Sequence, residues 1–279
     1  MTSPEPTTLG DLIARHDALL LDAYGVLVDG AGPLGHTAPL LAELTRRGTP
    51  YAIVTNDASR TPETYARRFA TMGLVVPPER VVTSGSLLIG YFAERGLAGA
   101  RTMVLGTEDS YRTVMAAGGE PTPLTPGVEI DCVAICDDAG TPFLDGIELA
   151  LSAIVRAVEA GRRPALVLPN PDLIYPKGAG ELGFTAGAMA LLVEAALGRR
   201  FPGAELRFDP LGKPEPHLFR EATRRLGATN AVMIGDQLET DIAGARAAGV
   251  AAALYAGISR WEPGGSIVPT YLLDALSLS

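Results

Sequence analysis

The stretch Ala18-Leu19-Leu20-Leu21-Asp22-Ala23-Tyr24-Gly25-Val26-Leu27-Val28-Asp29-Gly30 sets the fold of this chain. Four apolar residues run into Asp22, and turn chemistry follows at once at Gly25. A short apolar run that ends this way predicts a fully buried strand of a parallel sheet. A carboxylate at the carboxyl end of such a strand lies on the edge where open α/β sheets place their ligands. Asp22 is therefore the first candidate for chemistry. Tyr24, two residues on, is the first oddity, and Asp29-Gly30 reads as a turn.

Working outward, strand and helix signals alternate almost throughout, which predicts an α/β fold with a parallel sheet. A helix over 37–47 stops at Gly48, and 51–55 (Y-A-I-V-T) is the second strand. Thr61-Pro62 reads as a helix cap with proline at the first helical position, and that helix runs to about Met72 and ends at Gly73. A different rhythm begins near Ser84-Gly85: helices over 86–95, 109–117 and 146–160, with strands over 101–105, 130–136 and 165–168. The segment 85–177 has the size of a small domain and interrupts a larger one made of 1–84 and 178–279. After an irregular stretch over 170–182 come a helix over 185–197 ended by Gly198 and a loop with Gly212-Lys213-Pro214. A helix over 216–226, a strand over 231–234 delivering Gly235-Asp236, a helix over 239–248, a strand over 250–254 and a tail over 271–276 complete the chain.

Composition narrows the function classes. The 279 residues carry a net charge of −9, which gives no global attraction to nucleic acid or to an anionic membrane. An anionic substrate stays open, because a bound divalent cation reverses the local field. No apolar run approaches the roughly 20 residues of a membrane helix. Residues 1–8 lack the basic-then-apolar pattern of a secretory signal. Cys132 and Cys136 share one apolar run; in a strand they would lie roughly 13 Å apart, too far for a disulfide. Buried thiols in a reduced, cytoplasmic protein are expected.

Three strand ends carry chemistry: Asp22, Thr55-Asn56 and Asp236. In a parallel sheet all three converge on one edge. Lys213 adds a cation from a loop and is one of only two lysines in a chain rich in arginine, so a compact point charge matters there. Taken singly, an aspartate after a strand caps a turn and a lysine is solvated surface. In this order and spacing they form a site.

The combination resembles the haloacid dehalogenase superfamily, with D-A-Y-G-V-L, V-T-N, G-K-P-E-P and G-D-Q-L-E-T-D as its four motifs. Because the inserted segment lies between the second and third motifs, the resemblance is narrower: NagD-like phosphatases with a large α/β cap. T-N-D-A-S-R-T, N-P-D-L-I-Y-P and E-A-A-L-G-R are similar to that subclass as well. The resemblance implies a Rossmann-like core with an inserted α/β cap, and Mg²⁺-dependent hydrolysis of a small, sugar-like phosphate ester. Asp22 would be the nucleophile that becomes an aspartyl phosphate. Asp22, the main-chain carbonyl of Tyr24 and Asp236 would hold Mg²⁺, with Asp241 supporting the metal site. Thr55, the Asn56 N–H and Lys213 would hold phosphoryl oxygens, and Gly25 would let the backbone come close to them. Asn170 and Asp172 would be substrate or hinge contacts, or simply a proline turn with an Asx hydrogen bond. The resemblance also suggests a homodimer formed through the caps.

Two departures stand out. Phosphatases of this superfamily carry an aspartate acid/base where this chain has Tyr24, a protonated phenol that can donate a proton but is poorly poised as a base. Tyr24 would otherwise pack against cap or core. Asp57 stands where the subclass often has asparagine, either replacing the missing acid/base or capping the loop before Thr61. D-A-Y-G is also the first motif of hydrolytic 2-haloacid dehalogenases, which need no metal and lack the G-D-x-x-x-T-D arrangement of 235–241. A dehalogenase, or a regulatory binding protein with slow turnover, is the alternative to a phosphatase. Asp137-Asp138, at a strand end of the insert, face either substrate or solvent.

Overall fold

The computed structural model describes residues 3–178, 180–255 and 259–277. The chain divides into two compact units: Met1–Thr55, Pro62–Val82 and Lys213–Ser279 form the first, Asn56–Thr61 and Thr83–Gly212 the second.

The first unit is built on a seven-stranded sheet. Its order is Glu5–Thr7, Tyr271–Leu273, Ala251–Tyr255, Ala231–Gly235, Ala18–Asp22, Tyr51–Thr55, Val81–Thr83. Ladders from Glu5–Thr7 across to Tyr51–Thr55 are parallel. Every residue of Ala18–Asp22, Tyr51–Thr55 and Ala231–Gly235 is buried, as the unbroken apolar runs predicted. Leu19 and Leu21 join Leu9, Leu44, Ile53 and Phe69 in one core. Each fully buried leucine contributes about 2 kcal/mol, so a charge placed at Leu21 would break the central strand. From Ala18–Asp22 the chain moves to Tyr51–Thr55 and Val81–Thr83 on one side, whereas Ala231–Gly235 pairs on the other. The sheet therefore changes direction between Asp22 and Asp236, which makes a switch-point crevice at their carboxyl ends.

The second unit carries its own five-stranded sheet, ordered Asp209–Pro210, Ala165–Leu168, Cys132–Ile135, Arg101–Leu105, Glu120–Pro121 and parallel throughout. Phe143–Glu159 and Ala186–Arg200 pack on one core with Met103, Val133, Ile135 and Leu166. Cys132 and Cys136 are buried free thiols, as expected, and burial pushes both up to about 12.

Several elements differ from the sequence reading. The second unit extends to Gly212, beyond the return at 178, because Met189, Val193 and Leu197 of Ala186–Arg200 are buried in its core. That helix also runs through Gly198, whose cost of about 1 kcal/mol is small beside the packing of Leu197. Within 170–182, Ile174–Gly178 pairs antiparallel with Glu181–Phe184. A two-stranded hairpin tolerates Pro176 because every strand in it is an edge. The helix expected over 239–248 begins as a wide π turn, Leu238–Ile242, with the Ile242 N–H donating to the Gln237 carbonyl at 3.2 Å. The strand Glu5–Thr7 and the helix Leu9–Arg15 were not expected. Thr8, which accepts from the Asp11 N–H at 3.1 Å, was the available capping signal.

Candidate active site

Asp22 ends the central strand and is 4% exposed. Lys213, equally buried, donates from Nζ to Asp22 Oδ1 at 2.6 Å and to Asp241 Oδ1 at 2.6 Å. Burial pushes the Asp22 carboxyl up to about 8, and the Asp241 charge adds to that, against the opposing pull of Lys213. Burial alone would lower the Lys213 ammonium, but Asp22 and Asp241 override it and hold the proton well above the ordinary lysine range. Lys213 is a fixed cation.

Asp236 follows the strand Ala231–Gly235, and its side chain is sealed from solvent. Its backbone carbonyl accepts from the Ser259 N–H at 2.9 Å. Asp241 is equally buried; while Oδ1 accepts from Lys213, Oδ2 accepts from the Gln237 N–H at 3.1 Å. That bond fixes the carboxylate and shapes the wide turn carrying it. Two glycines make the approach possible. Gly25 has φ +90°, and a Cβ there would overlap the Asp236 carboxylate. A Cβ on Gly235 would overlap Asp241 in the same way.

Asp22, Asp236 and Asp241 each offer a carboxylate oxygen, all within 4.8 Å of one another. Three buried carboxylates beside a single lysine leave an excess of negative charge that a divalent cation would neutralise. An all-oxygen donor set suits a hard ion such as Mg²⁺ or Ca²⁺. The residues fit such a metal.

Thr55, 7% exposed, ends the strand next to Asp22, whose register partner is Val54. Tyr24 is half-buried, and its ring packs against the first core. Its hydroxyl lies over Gly30, where a Cβ would stand 3.2 Å from it. The packing against the core expected of Tyr24 is present. The loop beyond Tyr24 is held by residues the sequence reading missed: His36 Nε2 lies 2.8 Å from the Val26 carbonyl, and the Thr37 hydroxyl donates to the Leu27 carbonyl at 2.5 Å. Asp29 accepts from the Ala31 and Gly32 N–H groups, which is the turn expected of it.

Asn56, Asp57, Asn170 and Asp172 belong to the second unit. Asn56 Nδ2 donates to Asp172 Oδ1 at 2.9 Å, and Asn170 Oδ1 accepts from the Asp172 N–H at 3.0 Å, the Asx turn anticipated at N-P-D. Ser84, another residue missed, donates to the Asn56 carbonyl at 2.7 Å; only its place in a T-S-G-S run hinted at a loop. Asp57 accepts from the Ser59 N–H and hydroxyl and from Arg60, so it caps its own loop. Asp137 accepts from the Ala139 N–H at 2.9 Å, and burial, with help from Asp138 and Asp57, pushes its carboxyl up to about 6.

A buried aspartate at a strand end, two further buried carboxylates and a buried lysine at the switch point of a parallel sheet define an α/β protein with a charged site whose oxygen donors suit a divalent cation. Comparison with known proteins narrows that class. The haloacid dehalogenase-like hydrolase family matches residues 19–120, and a HAD-hydrolase-like family matches residues 210–277. The chain is 32% identical over 241 residues to D-glycerol 3-phosphate phosphatase of Mycobacterium tuberculosis, spanning 85% of this chain and only 62% of that protein. It is 29% identical to dihydroxyacetone phosphatase of Corynebacterium glutamicum, over 86% of this chain and 81% of the relative. The crystal structure of a glycerol phosphate phosphatase from Mycobacterium tuberculosis in complex with magnesium superposes with a TM-score of 0.81 at 28% identity, covering 95% of this chain and 76% of that one. The chain belongs to the haloacid dehalogenase superfamily, and NagD from E. coli K-12 shares its fold with a TM-score of 0.77 at 23% identity, covering 95% of this chain and 98% of that one. Among the described residues, no helix is long and apolar enough to cross a membrane.

Proposed function

We propose that this chain is a Mg²⁺-dependent phosphatase acting on small phosphate monoesters of the sugar or glycerol type. One observation carries the reading: buried Asp22 is paired with Lys213 and lies within 4.8 Å of Asp236 and Asp241. The names of the relatives, D-glycerol 3-phosphate phosphatase and dihydroxyacetone phosphatase, support the substrate class. Asp22, Asp236 and the Tyr24 main-chain carbonyl would hold Mg²⁺, with Asp241 behind them. When bound, the ion supplies positive charge that favours ionised Asp22 and offsets the charge of the phosphoryl oxygens.

In this scheme an Asp22 carboxylate oxygen attacks phosphorus as the ester P–O bond breaks, and the departing alcohol oxygen takes a proton from water. Water then attacks the phosphorus of the aspartyl phosphate, releasing inorganic phosphate and restoring Asp22. The Thr55 hydroxyl and the Asn56 N–H donate to the phosphoryl oxygens, and Lys213 stays protonated to neutralise nucleophile and phosphoryl group. Gly25 keeps the backbone clear of the approaching group. The second unit acts as the cap that sets specificity. Tyr24 contributes its carbonyl while its ring packs on the core, so the position of the usual acid/base carries no carboxylate. That observation favours a second reading, a phosphate-ester binder with slow turnover.

The test is turnover of p-nitrophenyl phosphate, whose leaving group needs little protonation, beside glycerol phosphate. Mg²⁺-dependent hydrolysis of the aryl ester, lost in Asp22→Asn, is expected. Activity surviving Asp22→Asn would sink the nucleophile assignment. Metal-independent halide release from a 2-haloacid would replace the whole scheme.

Assembly as a homodimer through the second unit is part of the same proposal. Ile174, Leu182, Phe184, Leu191 and Leu192 of that unit are all more than half exposed, which is unusual for so many large apolar residues on one hairpin and the helix after it.

A further inference from the structure

The wide turn Leu238–Ile242, which carries Asp241, has no side-chain cap at Gln237, the residue before it. The N–H groups at its start are met in two other ways. Gln237 donates from its N–H to Asp241 Oδ2 at 3.1 Å, and Leu238 donates from its N–H to Ser259 Oγ at 3.1 Å, across 21 positions of the chain. The first N–H groups of a helical turn lack partners within the turn, so a hydroxyl brought in from a distant loop does the work of a cap. Ser259 has a second hold on the same region, because its own N–H donates to the Asp236 carbonyl at 2.9 Å. One residue of the first unit thus ties the main chain of Asp236 to the start of the turn that bears Asp241.

The surroundings leave that turn little slack. A Cβ on Gly235 would overlap Asp241, and Lys213 donates to Asp241 Oδ1 at 2.6 Å. Without the Ser259 hydroxyl the turn keeps its bonds from the Asp241 and Ile242 N–H groups to the Gln237 carbonyl, at 3.1 and 3.2 Å. It loses its tether to the segment beyond Tyr255, and Asp241 can then drift relative to Asp236. We infer that Ser259 is a positioning residue for the divalent cation: by fixing the spacing of Asp236 and Asp241 it favours Mg²⁺ over Ca²⁺. This rests on the reading of those carboxylates as the metal site. Mg²⁺ demands near-octahedral oxygen ligands at about 2.0–2.1 Å, whereas Ca²⁺ accepts looser geometry at about 2.3–2.6 Å. A carboxylate set held at fixed spacing therefore serves the smaller ion, and loosening the set penalises that ion more.

The experiment is calorimetric titration of the metal-free full chain with MgCl₂ or CaCl₂, beside thermal melts without metal, so its readout does not depend on turnover. Ser259→Ala is expected to raise the Kd for Mg²⁺ by about tenfold and the Kd for Ca²⁺ by less than about threefold. Ser259→Thr, which keeps the hydroxyl, should stay within about threefold of the parent for both ions. Leu238→Pro removes the donor instead of the acceptor. Proline is tolerated there because Leu238 opens the turn and Gln237 before it is extended, with φ −119° and ψ 123°. It should reproduce the selective loss, and adding Ser259→Ala to it should cost less than about twofold more. Leu238→Pro also tests the tether should Ser259→Ala fail to fold. Equal losses for the two ions, or a lowered melting temperature with unchanged Mg²⁺ affinity, would overturn the positioning role while leaving the metal site standing. A parent chain that binds neither ion would overturn both.

Discussion

Replacing Lys213 with methionine removes a cation standing 2.6 Å from Asp22 and 2.6 Å from Asp241. At an effective dielectric near 20, each gross attraction is about 6 kcal/mol. Desolvation of the three groups offsets most of that, and breaking a buried pair of this kind costs about 3–5 kcal/mol net. Methionine keeps the length and apolar stem of lysine, so lost packing contributes little. For a chain of this size the metal-free Tm should fall by about 6–20 °C. Mg²⁺ at a hundred times its Kd adds about 2.7 kcal/mol of stability and should return part of the loss. It should not return the rate, because Lys213 is assigned to charge developing on the transferring group; kcat/KM for p-nitrophenyl phosphate stays down by about 10²–10³-fold. Thermal melts by circular dichroism with and without Mg²⁺, beside initial rates, separate the two effects. A metal-free variant melting within about 2 °C of the parent would refute the energetic reasoning. Full recovery of rate in Mg²⁺ would refute the role.

Tyr24→Asp places a carboxyl two residues after the nucleophile, and glycerol phosphate turnover should rise by about 10²-fold while the aryl ester changes far less; equal changes in both would count against a missing acid/base. Asp137 has its folded carboxyl pushed up to about 6 by burial, so the folded state holds the proton more tightly and stability falls as pH rises from about 4 through 6. Discounted for partial exposure, the loss above pH 7 is about 1–2 kcal/mol. Asp137→Asn should therefore raise Tm at pH 8 and leave it nearly unchanged at pH 4.5, and an equal gain at both would contradict the sign. If the apolar hairpin joins two copies, Phe184→Glu should convert a sedimenting dimer to monomer without lowering kcat; a parent chain that sediments as a monomer at micromolar concentration would end that proposal.

Much of the first unit was legible because its strands are buried on both faces. Ala18–Asp22, Tyr51–Thr55 and the strand before Asp236 read as plain apolar runs, and Asp22, Thr55 and Asp236 sit at or just past their ends. Helix stops at Gly48 and Gly73 were equally clear, since left-handed glycines punctuate a chain locally. The hairpin Ile174–Gly178 with Glu181–Phe184 was not legible, because its glycines and prolines carry loop signals and its apolar residues are exposed. The return at Gly212 was also invisible, since the periodicity of Ala186–Arg200 shows a helix and not which sheet it covers.

The sequence by itself determined the class of fold, the order of the motifs and the identity of the charged residues, all of which depend on local pattern and spacing. Only tertiary structure decided how those charges meet. Lys213 reaches Asp22 across 191 positions, and Asn56 reaches Asp172 across 116. The same distinction applies to Tyr24: its place in the motif was readable, but the packing of its ring on the core depends on residues far along the chain. Such pairings arise when sheets and helices close around a shared interior, and no window of sequence contains both partners.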